Sequence, residues 1–449
     1  MSKVQPKPDV IAAIATPYGQ GGIGVVRLSG YDLRPFAYAL LGKVPDPRRA
    51  SYASFLDAQG QIMDQGIALF FPAPHSYTGE DILELQGHGG TAVLQLVLQR
   101  CLDLGARLAQ PGEFTQRAFL NDKLDLAQAE SVADLISATT SQAARSAMRS
   151  LQGEFSKAIH CLVDGLISLR MLVEAMLDFP EEEIDAPDVT QRDVQLSTLR
   201  AEVEKILSLA QQGGLLREGA HIVLVGQPNV GKSSLLNRLS GEDVALVSEF
   251  PGTTRDLINQ AIQINGVPLH IIDTAGLRKA EDTVEQMGIA RTYAALKKAD
   301  VILVLLDARH GMMDVDQEIL DKLPNEIPRL HVFNKIDLLA QHVILNEDND
   351  ESHIYISAIT GAGLDGLRKK LLSLLGWHQE AGIFMARERH VHALLGARGH
   401  LQRAAKEAKR PELCAEELRL AQNELNSITG EFSSDDLLGE IFSRFCIGK

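Results

Sequence analysis

The feature that most restricts the fold is a nine-residue run, Gly226-Gln227-Pro228-Asn229-Val230-Gly231-Lys232-Ser233-Ser234. It follows the apolar run HIVLV directly and precedes the helix-forming SLLNRL. The run fits G-x-x-x-x-G-K-[ST] in the strand–loop–helix context that this motif needs. Such a loop turns backbone N–H groups onto a phosphate, and the helix behind it presents the positive end of its dipole to the same anion. Lys232 is expected to reach the β- and γ-phosphates and Ser233 to ligate magnesium. The loop has to sit at the carboxyl end of a strand in a parallel sheet, so this part of the chain is expected to be an α/β domain.

The runs HIVLVG, HIIDTAG, VILVLLD, RLHVFNK and HIYISA read as the buried strands of that sheet. Three of them close on short motifs. Asp273-Thr274-Ala275-Gly276 offers a carboxylate to the magnesium shell and the Gly276 N–H to a γ-phosphate. Asn334-Lys335-Ile336-Asp337 offers Asp337 to the N1–H and N2–H of guanine, a donor pair that adenine lacks. Ser357-Ala358 stands where a backbone N–H meets guanine O6. Each motif alone is weak, but four in this order at strand ends favour GTP over ATP. Ras-like enzymes place a water-orienting glutamine just after the second motif. Here that position is Leu277, which can neither donate nor accept a hydrogen bond. Arg255 and Arg278 read as solvated charges of the same loops.

The chain of 449 residues has room for two to four domains. Residues 1–118 read as mixed α/β, 119–215 as helical, 216–375 as the nucleotide domain and 376–449 as helical again. The expected architecture is a nucleotide domain inserted into a discontinuous all-α domain, preceded by a small α/β domain. In the first helical stretch, Ile167, Met171, Leu172, Ala175 and Met176 fall on one face at helical spacing. A second stripe runs through Val194, Leu199, Val203, Ile206 and Leu207, with QQGG expected to end that helix. No apolar run reaches the roughly 18 to 20 residues of a membrane span. The first ten residues, MSKVQPKPDV, do not read as a secretory signal, so the cytoplasm is the expected compartment. The four cysteines, Cys101, Cys161, Cys414 and Cys446, form no CxxC pair. A net charge of −15 with no strongly basic run implies that any RNA substrate is gripped largely by a partner.

Asn229 in the phosphate loop, Gly252-Thr253-Thr254-Arg255-Asp256 and the missing glutamine resemble the potassium-activated GTPases of the TrmE–Era–Era-like group. The segments ATPYGQGGIGVVRLSG, SYTGEDILELQGHGG, PGEFTQRAFLNDKLDLAQAE, FPEEE and the terminal FCIGK extend the resemblance over essentially the full chain, to the tRNA-modifying branch of that group. The resemblance implies a potassium ion held by Asn229 and by switch oxygens of Ser248, Phe250 and Thr253. The run Ser248-Glu249-Phe250-Pro251 departs from relatives, yet two of those contacts would be backbone carbonyls. Thr254 would complete the magnesium shell with Ser233, and Glu285 would orient the attacking water. The ion would supply charge where other GTPases use an arginine finger.

For the N-terminal domain the resemblance implies a tetrahydrofolate site touched by Arg27, Glu84 and Lys123, with Lys449 close by. On residue chemistry alone those first three read equally well as salt-bridge partners. Cys446, the fourth residue from the end, is placed by the resemblance near the folate as a catalytic thiol; by itself it reads as an inert cysteine. The implied cofactors are potassium, magnesium and a folate carrying one carbon (5,10-methylene-tetrahydrofolate, with the 5-formyl form as an analogue). The implied assembly is a homodimer with an FAD-dependent, MnmG-like partner, in a heterotetramer or larger. FAD belongs to the partner, since no dinucleotide fingerprint is present. The implied reaction adds an aminomethyl or carboxymethylaminomethyl group to the wobble uridine of tRNA. A ribosome-assembly switch of the Era-like group is the alternative. A dynamin-like membrane remodeller would need an amphipathic basic helix that the sequence lacks.

Overall fold

The computed structural model describes residues 9–178, 186–242, 259–273, 296–321, 323–339, 352–378, 382–430, 435–443, 445–446 and 448. The chain divides into two compact units. One comprises Met1–Ala133, Ser150–Gln195 and His400–Lys449; the other comprises Asp134–Arg149 and Leu196–Gly399.

The N-terminal sheet is built from β1 (Ile11–Ile14), β2 (Gly21–Gly30), β3 (Ser51–Leu56), β4 (Ile62–Phe71), β5 (Asp81–Gly89) and β6 (Arg107–Leu108), in the order β3-β4-β5-β2-β1-β6. Helices α1 (Arg34–Leu41) and α2 (Thr91–Asp103) connect them. Alternation along the strands sorts the side chains between faces. Val26, Leu28, Leu83 and Leu85 pack with Leu40, Leu94, Val97 and Leu98 of the two helices. Arg27 and Glu84 alternate with those residues and pair directly across the β2–β5 ladder, on the other face of the sheet. That pairing makes them neighbours although 57 positions separate them in sequence.

Helices α3 (Glu113–Leu120), α4 (Leu126–Ser137), α5 (Ser141–Leu151), α6 (Glu154–Asp178) and α7 (Ala186–Glu218) follow. The second sheet then forms from β7 (Ala220–Gly226), β8 (Asn259–Ile264), β9 (Val267–Asp273), β10 (Val301–Asp307), β11 (Arg329–Asn334) and β12 (His353–Tyr355). Its order is β12-β11-β10-β7-β9-β8, parallel except for the antiparallel β8–β9 pair. Helices α8 (Lys232–Glu242), α9 (Asp314–Leu320) and α10 (Leu364–Leu374) belong to the same α/β domain. The chain closes with α11 (Glu388–Lys406), α12 (Pro411–Thr429) and α13 (Asp435–Ser443). The expected class therefore holds: an α/β N-terminal domain, a discontinuous helical region and an inserted α/β P-loop domain. No helix among the described residues is long and apolar enough to cross a membrane.

Two helix expectations need correction. On α6 the buried line is Leu162, Leu166, Leu169 and Val173, matched by buried Leu418, Ala421, Leu425 and Ile428 of α12. Ile167 and Met171 are exposed, at 38% and 66%. The helical period was right and the face was off by a fraction of a turn, because the seam is set by the distant helix α12. Val194 on α7 is likewise exposed, while Leu199, Val203, Ile206 and Leu207 are buried as expected. Helix α7 also runs through Gly213 and Gly214 and stops only at Gly219, whose φ is +71°. A Cβ at Gly213 would lie 2.0 Å from the Phe384 carbonyl oxygen. That glycine admits a close backbone neighbour instead of ending the helix.

Candidate functional site

In the P-loop domain, β7 is flanked by β9 on one side and β10 on the other, so the chain reverses direction of travel at β7. Ligands of open α/β sheets bind outside the carboxyl ends of the strands at such a switch point. The loop 227–231 leaves β7 there and enters α8 at Lys232. Asn229 has φ +66°, a left-handed conformation that asparagine tolerates better than most side chains. Gly231 has φ +101°, and a Cβ there would sit 2.3 Å from Nδ2 of Asn334. The second glycine of the motif is therefore required twice, by backbone conformation and by space. Lys232 Nζ donates to the carbonyls of Gly226 (2.8 Å) and Gln227 (3.0 Å), which holds the ammonium across the mouth of the loop. Ser233 and Ser234 are exposed in the first turn of α8.

The guanine side is braced against this loop. Asn334, 2% exposed, donates its amide N–H to the Val230 carbonyl (2.8 Å) and accepts the backbone N–H of Ala358 (3.0 Å). One side chain thus fixes both the phosphate loop and the loop that meets the base. The Ser357 hydroxyl donates to Asp337 Oδ1 at 2.5 Å and orients that carboxylate. Lys335, with φ +70°, donates from Nζ to the Asn229 carbonyl and to Asp307 Oδ2 (2.9 Å). Asp273 closes β9 beside Leu224 of β7. The structure brings together Asn229, Val230, Gly231, Lys232, Asn334, Lys335, Asp337, Ser357 and Ala358. Ser248, Glu249, Phe250, Pro251, Gly252, Thr253, Thr254, Thr274, Ala275, Gly276 and Glu285 lie outside the described residues. The donor set fits a magnesium nucleotide: a left-handed asparagine–glycine loop, a helix N-terminus, an ammonium and an exposed hydroxyl in the first turn.

Sequence reasoning passed over Asp307. Hydrogen bonds from Arg309 hold its carboxyl well below the usual carboxylate range, against the opposing pull of burial, and Lys335 adds to the effect. A carboxylate that closes a buried strand in VILVLLD was the available signal.

The second group of expected residues lies on the N-terminal sheet. Arg27 donates to Glu84 from Nε (2.9 Å) and Nη2 (2.8 Å), and Gln86 donates to the other Glu84 oxygen (3.2 Å). The Arg27 guanidinium lies 5.9 Å from the centre of the Tyr77 ring and 5.8 Å from that of Phe114. Arg27 Nη1 also reaches the Gly448 carbonyl at 3.5 Å, and the Gly112 N–H donates to the Cys446 carbonyl at 3.3 Å. Gly448 thus lies beside Arg27, and Cys446, held at Gly112, is exposed. Lys123 is exposed in the turn after α3 and borders Gly79. Lys449 lies outside the described residues. Arg27 and Glu84 engage each other here, the salt-bridge reading that residue chemistry had left open.

Behind these residues lies a buried ionic network that no local pattern announces. Arg117 donates to Glu80 (2.9 Å), Glu113 (3.0 Å) and Asp9 (2.8 Å), and Arg107 adds further bonds to Glu113 and Asp9. The side chains of Arg117, Glu80 and Glu113 are 7%, 7% and 8% exposed.

Comparison with known proteins extends the reading over both units. A family model described as "MnmE helical domain" matches residues 126–446, and one described as "GTP-binding protein TrmE N-terminus" matches residues 10–123. The chain is 61% identical to the tRNA modification GTPase MnmE of Nitrosomonas europaea over 447 residues, 98% of this chain and 99% of that one. It is 59% identical to the protein of the same name from Nitrosospira multiformis, covering 99% of this chain and 100% of the relative. Among solved structures, a variant of Aquifex aeolicus Era bound to GDP and aluminium fluoride shares 31% identity over 40% of this chain and 66% of its own, with a TM-score of 0.29. The G domain of the T. maritima FeoB iron transporter shares 24% identity over 34% of this chain and 98% of its own, with a TM-score of 0.26.

Proposed function

The chain belongs to the MnmE family of tRNA modification GTPases, and from that premise we propose that its GTP hydrolysis drives modification of the tRNA wobble uridine. With a flavoprotein partner of the MnmG type, it adds an aminomethyl or carboxymethylaminomethyl group to C5 of uridine 34. The carbon comes from methylene-tetrahydrofolate and the nitrogen from ammonium or glycine. The family match at 61% identity over 98% of the chain carries this reading, because with the family models over residues 10–123 and 126–446 it spans the N-terminal sheet and the nucleotide loop together. A P-loop domain alone would fit a ribosome-assembly switch equally well.

The proposed division of labour follows the sequence boundaries. Residues 1–118 bind folate and pair two copies of the chain, 119–215 and 376–449 form the helical scaffold, and 216–375 bind and hydrolyse GTP. Within the nucleotide site Lys232 binds the β- and γ-phosphates and Asp337 the guanine edge. Glu285 orients the attacking water. Magnesium held by Ser233 and Thr254, and potassium held by Asn229, Ser248, Phe250 and Thr253, supply positive charge to the transferring phosphoryl group when bound. Arg27, Glu84, Lys123 and Lys449 form the folate-binding set, and Cys446 is the thiol that takes part in the one-carbon chemistry. The contact of Gly448 with Arg27 supports grouping Cys446, two residues before it, with that set. The protein works in the cytoplasm.

The direct test is reconstitution with the flavoprotein, GTP, methylene-tetrahydrofolate and unmodified tRNA, followed by mass spectrometry of the wobble nucleoside. Appearance of the C5 adduct is expected. GTP turnover without an adduct, together with tight binding to ribosomal RNA, would move the protein to the ribosome-assembly class. In the same assay Cys446→Ser, a near-isosteric change at an exposed side chain, should leave GTP turnover within about twofold and abolish the adduct. An undiminished adduct would remove the thiol from the chemistry.

A further inference from the structure

We infer that Asp307 is a positioning residue for guanine nucleotide binding, acting through Lys335 to tie the guanine-recognition strand to the phosphate loop at Asn229. The parallel register of β10 and β11 sets Asp307 beside Asn334, so the next residue, Lys335, extends its ammonium to the Asp307 carboxylate. Lys335 Nζ then spans two elements. It donates to Asp307 Oδ2 at 2.9 Å and to the Asn229 carbonyl, 106 positions away in sequence.

Three observations make this more than a surface ion pair. Asp307 closes a strand whose residues are all buried, and its side chain is 10% exposed. Its four acceptor positions are filled: the Arg309 backbone N–H (3.1 Å) and Nε (2.9 Å) meet Oδ1, while Arg309 Nη2 (2.6 Å) and Lys335 Nζ (2.9 Å) meet Oδ2. Lys335 holds a left-handed backbone conformation, φ +70° and ψ +36°, which a non-glycine residue adopts at a cost and keeps only where its surroundings over-determine it. The two bonds from its ammonium supply that constraint. Asn334 braces Val230 in parallel. Two consecutive residues of β11 and its turn therefore hold two consecutive carbonyls of the phosphate loop, and Asp307 is the anchor of the outer brace. Its carboxylate need not touch the nucleotide, so its effect must pass through Lys335.

The inference rests on reading this site as a guanine-nucleotide site, and titration of the wild-type chain with a fluorescent GDP tests that reading by itself. The same titration is then run on Asp307→Asn, Lys335→Ala and the double variant, with thermal unfolding of each nucleotide-free protein. Asp307→Asn removes a charge-assisted bond and is expected to weaken GDP binding about tenfold. The double variant should bind no more weakly than Lys335→Ala alone, since a residue acting through another has nothing left to position. Arg309→Ala should keep affinity within about twofold. Losses that add in the double variant, wild-type affinity in Asp307→Asn, or a loss in Arg309→Ala equal to that of Asp307→Asn would each overturn the assignment. A purely structural carboxylate would lower the unfolding temperature without this non-additivity.

Discussion

Arg117→Ala should destabilise the N-terminal α/β domain by about 3 to 5 kcal/mol, the usual loss when one partner of a buried ionic network is removed. The substitution leaves Glu80 buried with its cation gone, and Glu113 and Asp9 with only Arg107. The neighbouring Arg107 cannot replace it, because its bonds run to Asp9 and Glu113 and none reaches Glu80 among those described. The chain has several domains, so one global transition is the wrong readout. Hydrogen exchange of the α3 amides is the right one, and it should quicken by about 10² to 10⁴-fold. Exchange within threefold of wild type would contradict the account.

The same network sets an acid limit. Burial alone would raise the carboxyl pKa values of Asp9 and Glu113, yet bonds from Arg107 and Arg117 outweigh it and leave both below their ordinary values. The folded state therefore binds fewer protons than the unfolded chain on falling through pH of about 4. Their stabilising contribution is fully present above that pH and is lost as pH drops through the depressed folded values. Arg117→Ala should flatten this dependence.

Gly231→Ala is expected to remove nucleotide binding while leaving the sheet intact. At φ +101° a side chain is strained by about 1 to 3 kcal/mol. The new methyl would also lie 2.3 Å from Asn334 Nδ2 and push that amide away from Val230 and Ala358. Losing two buried bonds adds about 1 to 3 kcal/mol each. The total corresponds to weakening of GDP binding on the order of 10² to 10⁶-fold. Circular dichroism should be unchanged, and affinity within threefold of wild type would show that the loop tolerates the methyl group.

How much of this was legible beforehand follows from how local each signal is. The phosphate loop could be read because its glycines, lysine and serines act within nine consecutive residues, flanked by an apolar strand and a helix. Asn334, Asp337 and Ser357 could be read because each stands at the end of a β-strand run. The seam of α6 could not, since its face is chosen by α12, some 250 positions away, as the Arg170–Gln422 bond between the two shows. Gly213 was misread as a stop for the same reason: its neighbour is the distant Phe384 carbonyl. The Arg117 network joins residues 37 and 108 positions apart, and no spacing rule reaches that far. Asp307 lay in plain view at a strand end, but its meaning depends on the register that places it beside Asn334.

The most direct test of the central claim compares GTP turnover in potassium with turnover in sodium at equal ionic strength, with binding of 5-formyl-tetrahydrofolate followed by calorimetry on the same preparation. The account predicts hydrolysis at least tenfold faster in potassium, the order expected when a charge on the transferring phosphoryl group is supplied or withheld, together with folate binding. Equal rates in the two salts, or no heat from the folate, would contradict it.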